Sequence, residues 1–295
     1  MFQVISDSGC DFTKDEAKDI SIVPFYISFD QKNHLKEGID ISLEDYFQRL
    51  VSEKNVFPKT AQPSPQDYID AFKPHLEAGR DIISVTISSK FSGSYNSATL
   101  AADMLKEEYP NRIIKILDSL NGSVGQGLVL REIIKMQNAG YNLQKTVKLA
   151  EEIIKTTRLY FTVDNLEYLK RGGRIGPTTA LVGGLLGLRP ILQVENGQVS
   201  QLDNVRGKKN ALKLIQEAMV NALQDEPQNV NISIGHILSE QEAVDFKTKT
   251  EAALGIKIAN PITEVGAAIG SHAGPGALAF AYCKKYNAIE GDAAA

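Results

Sequence analysis

Three side chains that can hydrogen-bond a polar ligand stand on separate turns of this 295-residue chain. They are Thr60 in Lys59-Thr60-Ala61-Gln62-Pro63-Ser64, Ser92 in Ser88-Ser89-Lys90-Phe91-Ser92-Gly93-Ser94, and His272 in Gly270-Ser271-His272-Ala273-Gly274-Pro275-Gly276. The serine stretch follows an apolar run, residues 82–87, and precedes a helical pattern from about Tyr95 to Glu108. It therefore reads as a turn between a strand and a helix. Open α/β sheets place ligands at the carboxyl ends of their strands, and a helix start offers unpaired N–H groups and partial positive charge. Hydroxyls from Ser88, Ser89, Ser92 and Ser94 around Gly93 suit the head group of a small acidic ligand, although a single serine there would be a simple helix cap. Glycines on both sides of His272 leave room for close backbone approach and an accessible ring, a setting that His34, His75 and His236 lack.

Two chemistries fit these residues. Ser92 and His272, joined by Asp7 or Asp118, could form a hydrolase triad acting on an acyl ester. The G-x-S-x-G elbow of such enzymes is absent, because Phe91 precedes Ser92 and Gly93 follows it. A carboxylate-binding site uses the same residues without a catalytic acid. Arg171 and Arg174 flank Gly172-Gly173, and Arg206 opens Arg206-Gly207-Lys208-Lys209. These could contact phosphate, or they could be a basic helix end and a solvated face. Histidines and cysteines are too scattered for a metal site, and neither the phosphate-loop lysine motif nor the dinucleotide glycine fingerprint occurs in context.

The elements that must position these residues fall into two textures. Strand patterns at Phe2 to Ile5, Ile22 to Phe29, residues 82–87 and Ile113 to Leu117 alternate with helical ones, including Val124 to Asn138 and an Asn142-capped helix to about Thr156. That order predicts a mainly parallel sheet flanked by helices. Thr60 falls in a loop before a helix that starts with Ser64, Pro65 and Asp67. Beyond Leu159 to Val163, a short helix is predicted over Asn165 to Arg171. The glycine-rich apolar stretch Pro177 to Leu188 reads either as a loose helix along a ligand groove or as a packed core helix. Asn196-Gly197 between two apolar runs predicts a two-residue hairpin and hence antiparallel sheet. Strands are expected at Asn231 to His236 and Ile256 to Ala259, a helix at Ala277 to Tyr282, and a disordered tail from Asn287. The fold class is α/β with two domains, 1–157 mainly parallel and 158–295 α+β with an antiparallel hairpin.

A net charge of −4 and a pI near 5.7 argue against nucleic acid as a partner, and with aromatics at 7% no base-stacking platform stands out. Cys10 and Cys283 form no paired motif, which suits a reducing cytoplasm. No secretory signal pattern opens the chain, and the longest apolar run is too short to span a bilayer.

Four blocks occur in order: Thr60-Ala61-Gln62-Pro63-Ser64, Ser88-Ser89 through Ser97-Ala98, Leu169 through Arg171-Gly172-Gly173-Arg174-Ile175, and Gly270 through His272 to Gly274-Pro275-Gly276. Together they resemble the DegV family over nearly the whole chain. The resemblance implies a two-domain α/β protein with a long-chain fatty acid in a tunnel between the domains, no other cofactor and no metal. It further implies a non-catalytic subunit that presents the carboxylate to a separate ATP-using fatty acid kinase, giving acyl-phosphate for phospholipid synthesis, with a transient membrane-surface contact. Residue by residue, it places carboxylate contacts on Thr60, Ser92, Gly93 and His272, and phosphate or kinase contacts on Arg171, Arg174 and Arg206. Ala61 departs from the family's usual Ser, and Cys10 stands where a small polar residue is more usual, so the turn Asp7 to Asp11 receives no role.

Overall fold

The computed structural model describes residues 2–53, 56–164, 166–175 and 188–294. The helix start expected at Asn165 and almost all of the stretch from Pro177 to Leu188 therefore lie outside the described residues.

β1 (Phe2–Asp7) opens the chain and is followed by β2 (Ser21–Val23), β3 (Tyr26–Ser28), β4 (Leu35–Lys36), α1 (Leu43–Ser52) and β5 (Lys59–Ala61). The single strand expected over Ile22 to Phe29 is two strands in two different sheets. Pro24 separates them, having no N–H to continue a ladder. β3 pairs antiparallel with β4 and with β5, and Thr60 lies on β5 opposite Ile27 rather than in a loop. The next helix, α2 (Pro65–Glu77), starts with the expected capping box, in which the Ser64 hydroxyl accepts from the Asp67 N–H and Asp67 from the Ser64 N–H.

β6 (Asp81–Thr86), α3 (Ser94–Glu108), β7 (Ile114–Asp118), α4 (Ser123–Asn138) and α5 (Leu143–Thr156) complete the first half. The main sheet runs β2-β1-β6-β7 with every pairing parallel. Such sheets need cover on both faces, and β6 is accordingly buried from Ile82 to Thr86, Ser84 and Thr86 included. Tyr68 and Phe72 of α2 and Ala98, Ala101 and Leu105 of α3 bury one face.

β8 (Arg158–Thr162), α6 (Glu167–Gly172), β9 (Leu188–Glu195), β10 (Gln198–Arg206), α7 (Lys208–Leu223), β11 (Val230–His236), α8 (Glu240–Leu254), β12 (Ile262–Glu264), α9 (Ala267–Ala273), β13 (Leu278–Lys284) and α10 (Tyr286–Ala294) form the second half. Their sheet runs β10-β9-β8-β13-β11-β12 and is antiparallel except for β11 with β12. The β9–β10 turn has Asn196 at φ 50° and Gly197 at φ 79°, the pair of positive angles that an Asn-Gly hairpin uses.

Three expectations fail here. Residues 277–282 are not helical: 278–282 belong to β13, which sits between β8 and β11, because this alanine-rich segment is buried on two faces where a strand must complete the sheet. The strand expected over 256–259 lies instead at Ile262–Glu264. The tail from residue 286 is helical to residue 294, with Tyr286 packed edge-on against Tyr141.

α4 holds the halves together. It is buried along most of its length and packs on β1 and β6 from one sheet and on β8, β11 and β13 from the other. It is surrounded by protein, and its buried polar residues are paired: Gln126 donates to Asp7, Arg131 to Glu16, and Glu132 accepts from Asn231. One core cluster accordingly contains Val85, Leu128, Ile133, Leu159 and Leu192. Leu128→Ala, at a fully buried position, should cost about 2–5 kcal/mol in denaturant unfolding. Because the core is shared, probes of both sheets should shift together; unfolding of only one half would contradict this packing.

Candidate functional site

Between the two sheets lies a cavity with an empty volume of about 870 Å³ including its mouth. Phe25, Ile87 and Phe91 line it from the first half, and Leu159, Phe161 and Val194 from the six-stranded sheet. Its wall is overwhelmingly apolar; the polar residues on it are Thr60, Ser92, Ser123, Arg174 and His272. Three segments far apart in sequence thus converge on one space, bringing Thr60, Ser92 and His272 to its wall.

Thr60 Oγ1 and His272 Nε2 are 2.8 Å apart. His272 is not on a turn but in the last turn of α9, which the alanines at 267, 268 and 273 allow to form a helix between Gly266 and Gly274. Burial pushes its pKa down to about 3, and the nearby positive charges of Arg174 and Lys59 push the same way. The ring is therefore neutral at physiological pH. Its Nδ1 is buried and has no hydrogen-bond partner among the described residues. An unpaired acceptor is less costly than an unpaired N–H, so the favoured tautomer carries the proton on Nε2. In that tautomer His272 donates to Thr60, and the Thr60 hydroxyl hydrogen is left to donate into the cavity.

Ser92 accepts from the Ser94 N–H at 3.2 Å, and Gly93 is the N-cap of α3, whose first-turn N–H groups lack intrahelical partners. Arg174 Nε donates to the Phe91 carbonyl at 3.1 Å and its Nη1 to Gly172 O at 2.5 Å, which fixes a positive charge at the wall. The other serines of the turn have different work. Ser88 donates to the Gly197 carbonyl at the hairpin tip, 2.7 Å away, and Ser94 donates to Asp7 at 2.6 Å. Ser89 is exposed, and its N–H bonds Asp118. Of the four serines only Ser92 faces the cavity. Arg171 is exposed, its guanidinium 4.1 Å from the Phe57 ring centroid and its carbonyl 2.8 Å from Lys59 Nζ. Arg206 ends β10 on the surface and does not line the cavity.

The hydrolase constellation is not assembled. Asp7 is fully buried and accepts from Ser94, the Ile87 N–H and Gln126. Asp118 accepts from the N–H groups of Ser89 and Leu120. Both carboxylates brace the serine turn, and neither orients His272.

The glycines have steric work. A Cβ on Gly172 would lie 2.1 Å from His272 Nδ1, and one on Gly93 would lie 2.4 Å from Gln62 Oε1. The second motif block therefore packs against the first, and the third against the fourth, through missing side chains. Sequence reasoning gave Gln62 no role because its signal is only the space opposite it. It also passed over Asp11, Glu37 and Tyr46, which hold α9. Asp11 accepts from the Gly266 N–H at 2.9 Å and Glu37 from the Ala268 N–H at 3.0 Å, and Tyr46 Oη lies 3.1 Å from Ser271 Oγ. Ser123 donates to Asp11 at 2.5 Å. Among the described residues no group of three or more His, Cys, Asp or Glu could hold a metal ion, and no helix is long and apolar enough to cross a membrane.

The family model for DegV matches residues 1–285. The chain belongs to the DegV family. A DegV domain-containing protein of Caldanaerobacter subterraneus is 33% identical over 287 residues, covering 96% of this chain and 98% of the relative. One from Clostridium acetobutylicum is 35% identical over 271 residues, covering 91% and 92%. A crystal structure described as a stearic-acid-binding protein from Eubacterium ventriosum superposes with a TM-score of 0.92 at 30% identity, covering 97% of this chain and 99% of that one. A fatty-acid-binding DegV protein of Thermus thermophilus gives a TM-score of 0.86 at 29% identity, covering 96% and 99%. The α/β architecture is therefore that of the DegV family.

Two outcomes are expected. Because His272 stays neutral down to about pH 3 when folded, against an ordinary value of 6.5, the unfolded chain alone takes up a proton between those values. Stability should fall as pH drops through that window, and His272→Gln should fall less steeply; a His272 ring titrating near 6.5 by NMR would contradict the assignment. Gly172→Ala should fold yet drive the ring off Thr60, read as a changed His272 ring-nitrogen shift.

Proposed function

We propose that this protein binds a long-chain fatty acid in the cavity between its sheets and presents the carboxylate to a separate ATP-dependent kinase. The product is acyl-phosphate for phospholipid synthesis. The observation that carries the reading is a cavity walled almost entirely by apolar side chains, with an uncharged Thr60–His272 pair and Ser92 on its wall. Burying about fifteen methylenes at roughly 0.8 kcal/mol each contributes on the order of 12 kcal/mol before ordering costs. The tail thus dominates affinity, and the polar residues orient the head. In this reading Thr60 and Ser92 donate hydroxyl hydrogens to the carboxylate, Gly93 contributes the amide at the helix start, and His272 orients Thr60 at the carboxylate. Arg174 supplies a fixed positive charge beside the head group.

The protein's part is to hold and present, with no bond made or broken by its own residues. The pairing of His272 Nε2 with Thr60 supports this, since a serine nucleophile would need that hydrogen bond to be activated. Arg171 and Arg206 are assigned to contacts with the kinase or its phosphates. The site draws on both halves, 1–157 and 158–295, treated as two domains closing on the ligand. The setting proposed is the cytoplasm, with transient contact at a membrane surface when the acid is exchanged. The relatives described as fatty-acid-binding support the ligand class; the kinase partner rests on the family resemblance.

Native mass spectrometry of protein purified from a bacterial host should reveal bound acyl chains. A protein that is always empty and takes up neither palmitate nor oleate would overturn the reading. Ser92→Ala and His272→Ala should each lower kinase-coupled phosphorylation of bound palmitate about tenfold or more, the scale of one hydrogen bond to a charged group. Binding of the chain itself should change far less. Equal coupled rates in wild type and both variants would show the head-group assignment to be wrong.

A further inference from the structure

We propose that Asp11, Glu37 and Tyr46 are positioning residues for the carboxylate site, acting from the first half of the chain through α9 to set His272 against Thr60. The inference rests on the fatty-acid reading for its ligand, but its geometry stands by itself.

α9 has only seven residues and carries His272 in its last turn. A helix this short has little stability of its own, so its place depends on what grips it. The grip comes from three directions. The Asp11 carboxyl accepts from the Gly266 N–H at 2.9 Å, and the Glu37 carboxyl from the Ala268 N–H at 3.0 Å. Tyr46 is fully buried, its Oη 3.1 Å from Ser271 Oγ. Each of the three is braced in turn. Ser123 donates to Asp11 and Ser8 to Glu37, both at 2.5 Å, while Phe29 and Phe47 pack against the Tyr46 ring at centroid distances of 5.7 and 5.2 Å.

The fit excludes side chains at the points of contact. A Cβ on Gly266 would lie 2.6 Å from Glu37 Oε1 and 3.0 Å from Asp11 Oδ1, and one on Gly270 would lie 3.3 Å from the Tyr46 ring. Both carboxyls therefore close on the same turn of backbone. Burial raises the pKa of each, Asp11 to about 8, with the charge of Glu37 adding to the shift of Asp11 and that of Asp7 to the shift of Glu37. Ser123 and His272 line the same cavity. Displacement of α9 at its start would then move the ring that holds Thr60.

The test compares palmitate with 1-hexadecanol, which has the same chain length but no carboxylate. Asp11→Ala, Glu37→Ala and Tyr46→Phe should each reduce the preference for the acid about tenfold, with the alcohol's affinity changed less than threefold. Asp11→Asn and Glu37→Gln keep an acceptor for the backbone N–H and an amide for the bracing serine, and should restore the preference. A second readout needs no ligand: the His272 ring-nitrogen shift should change in the Ala and Phe variants and return in the amide variants. Acid and alcohol weakening equally, with an unchanged ring shift, would assign these residues to stability alone and overturn the inference. Tyr46→Phe removes one oxygen, so it keeps the test available if either Ala variant fails to fold. Should wild type ignore palmitate altogether, the fatty-acid reading falls, and the ring shift still decides the positioning role.

Discussion

The neutral hydrogen bond between Thr60 and His272 is the interaction on which this site depends. It lies at the edge of an apolar cavity, where an unpaired charge would be expensive. Burial solves that by keeping the imidazole uncharged, and the charges of Arg174 and Lys59 reinforce the effect. The result is a polar contact that survives in a greasy environment and leaves one hydroxyl hydrogen directed inward. A lysine at the same place would bind an anion more strongly by Coulomb attraction, yet would have to be desolvated to do so.

The fold supplies this contact from two sheets of different character. Thr60 sits on a small antiparallel strand of the first half, His272 on a short helix of the second, and Ser92 on the turn after the parallel strand β6. α4 fills the space between the sheets, so the cavity walls are parts of one continuous core. Small displacements between the halves are therefore resisted by close packing. The buried carboxyls follow the same logic. Asp7 braces the serine turn while Asp11 and Glu37 hold the helix of His272, so three carboxyls support the cavity's polar wall through backbone and side-chain hydrogen bonds.

Glycines tie the motif blocks together by what they lack. Gly172 lets the His272 ring lie against the end of α6, and Gly93 admits Gln62 beside the serine turn. Motifs separated by many residues are thus halves of single steric fits. This gives a physical reason for their joint occurrence in this chain, independent of any contact with phosphate.

Local chemistry made part of this protein legible from sequence. The capping box at Ser64, the Asn142 cap and the Asn-Gly hairpin each rest on a few neighbouring residues, and each appears where it was expected. The strand patterns of β1, β6 and β7 alternating with helical ones announced a parallel sheet, and residue type singled out Thr60, Ser92 and His272, although only Ser92 lies on a turn, Thr60 being on β5 and His272 in α9. Tertiary structure decided the rest. Residues 278–282 are a strand and 267–273 a helix because alanine and glycine carry no periodic signal, so the place left by neighbouring strands chose for them. Pro24 divided one apparent strand between two sheets. The roles of Asp11, Glu37, Tyr46 and Gln62 depend on partners up to hundreds of positions away, and spacing along a chain encodes nothing about a contact that only folding creates.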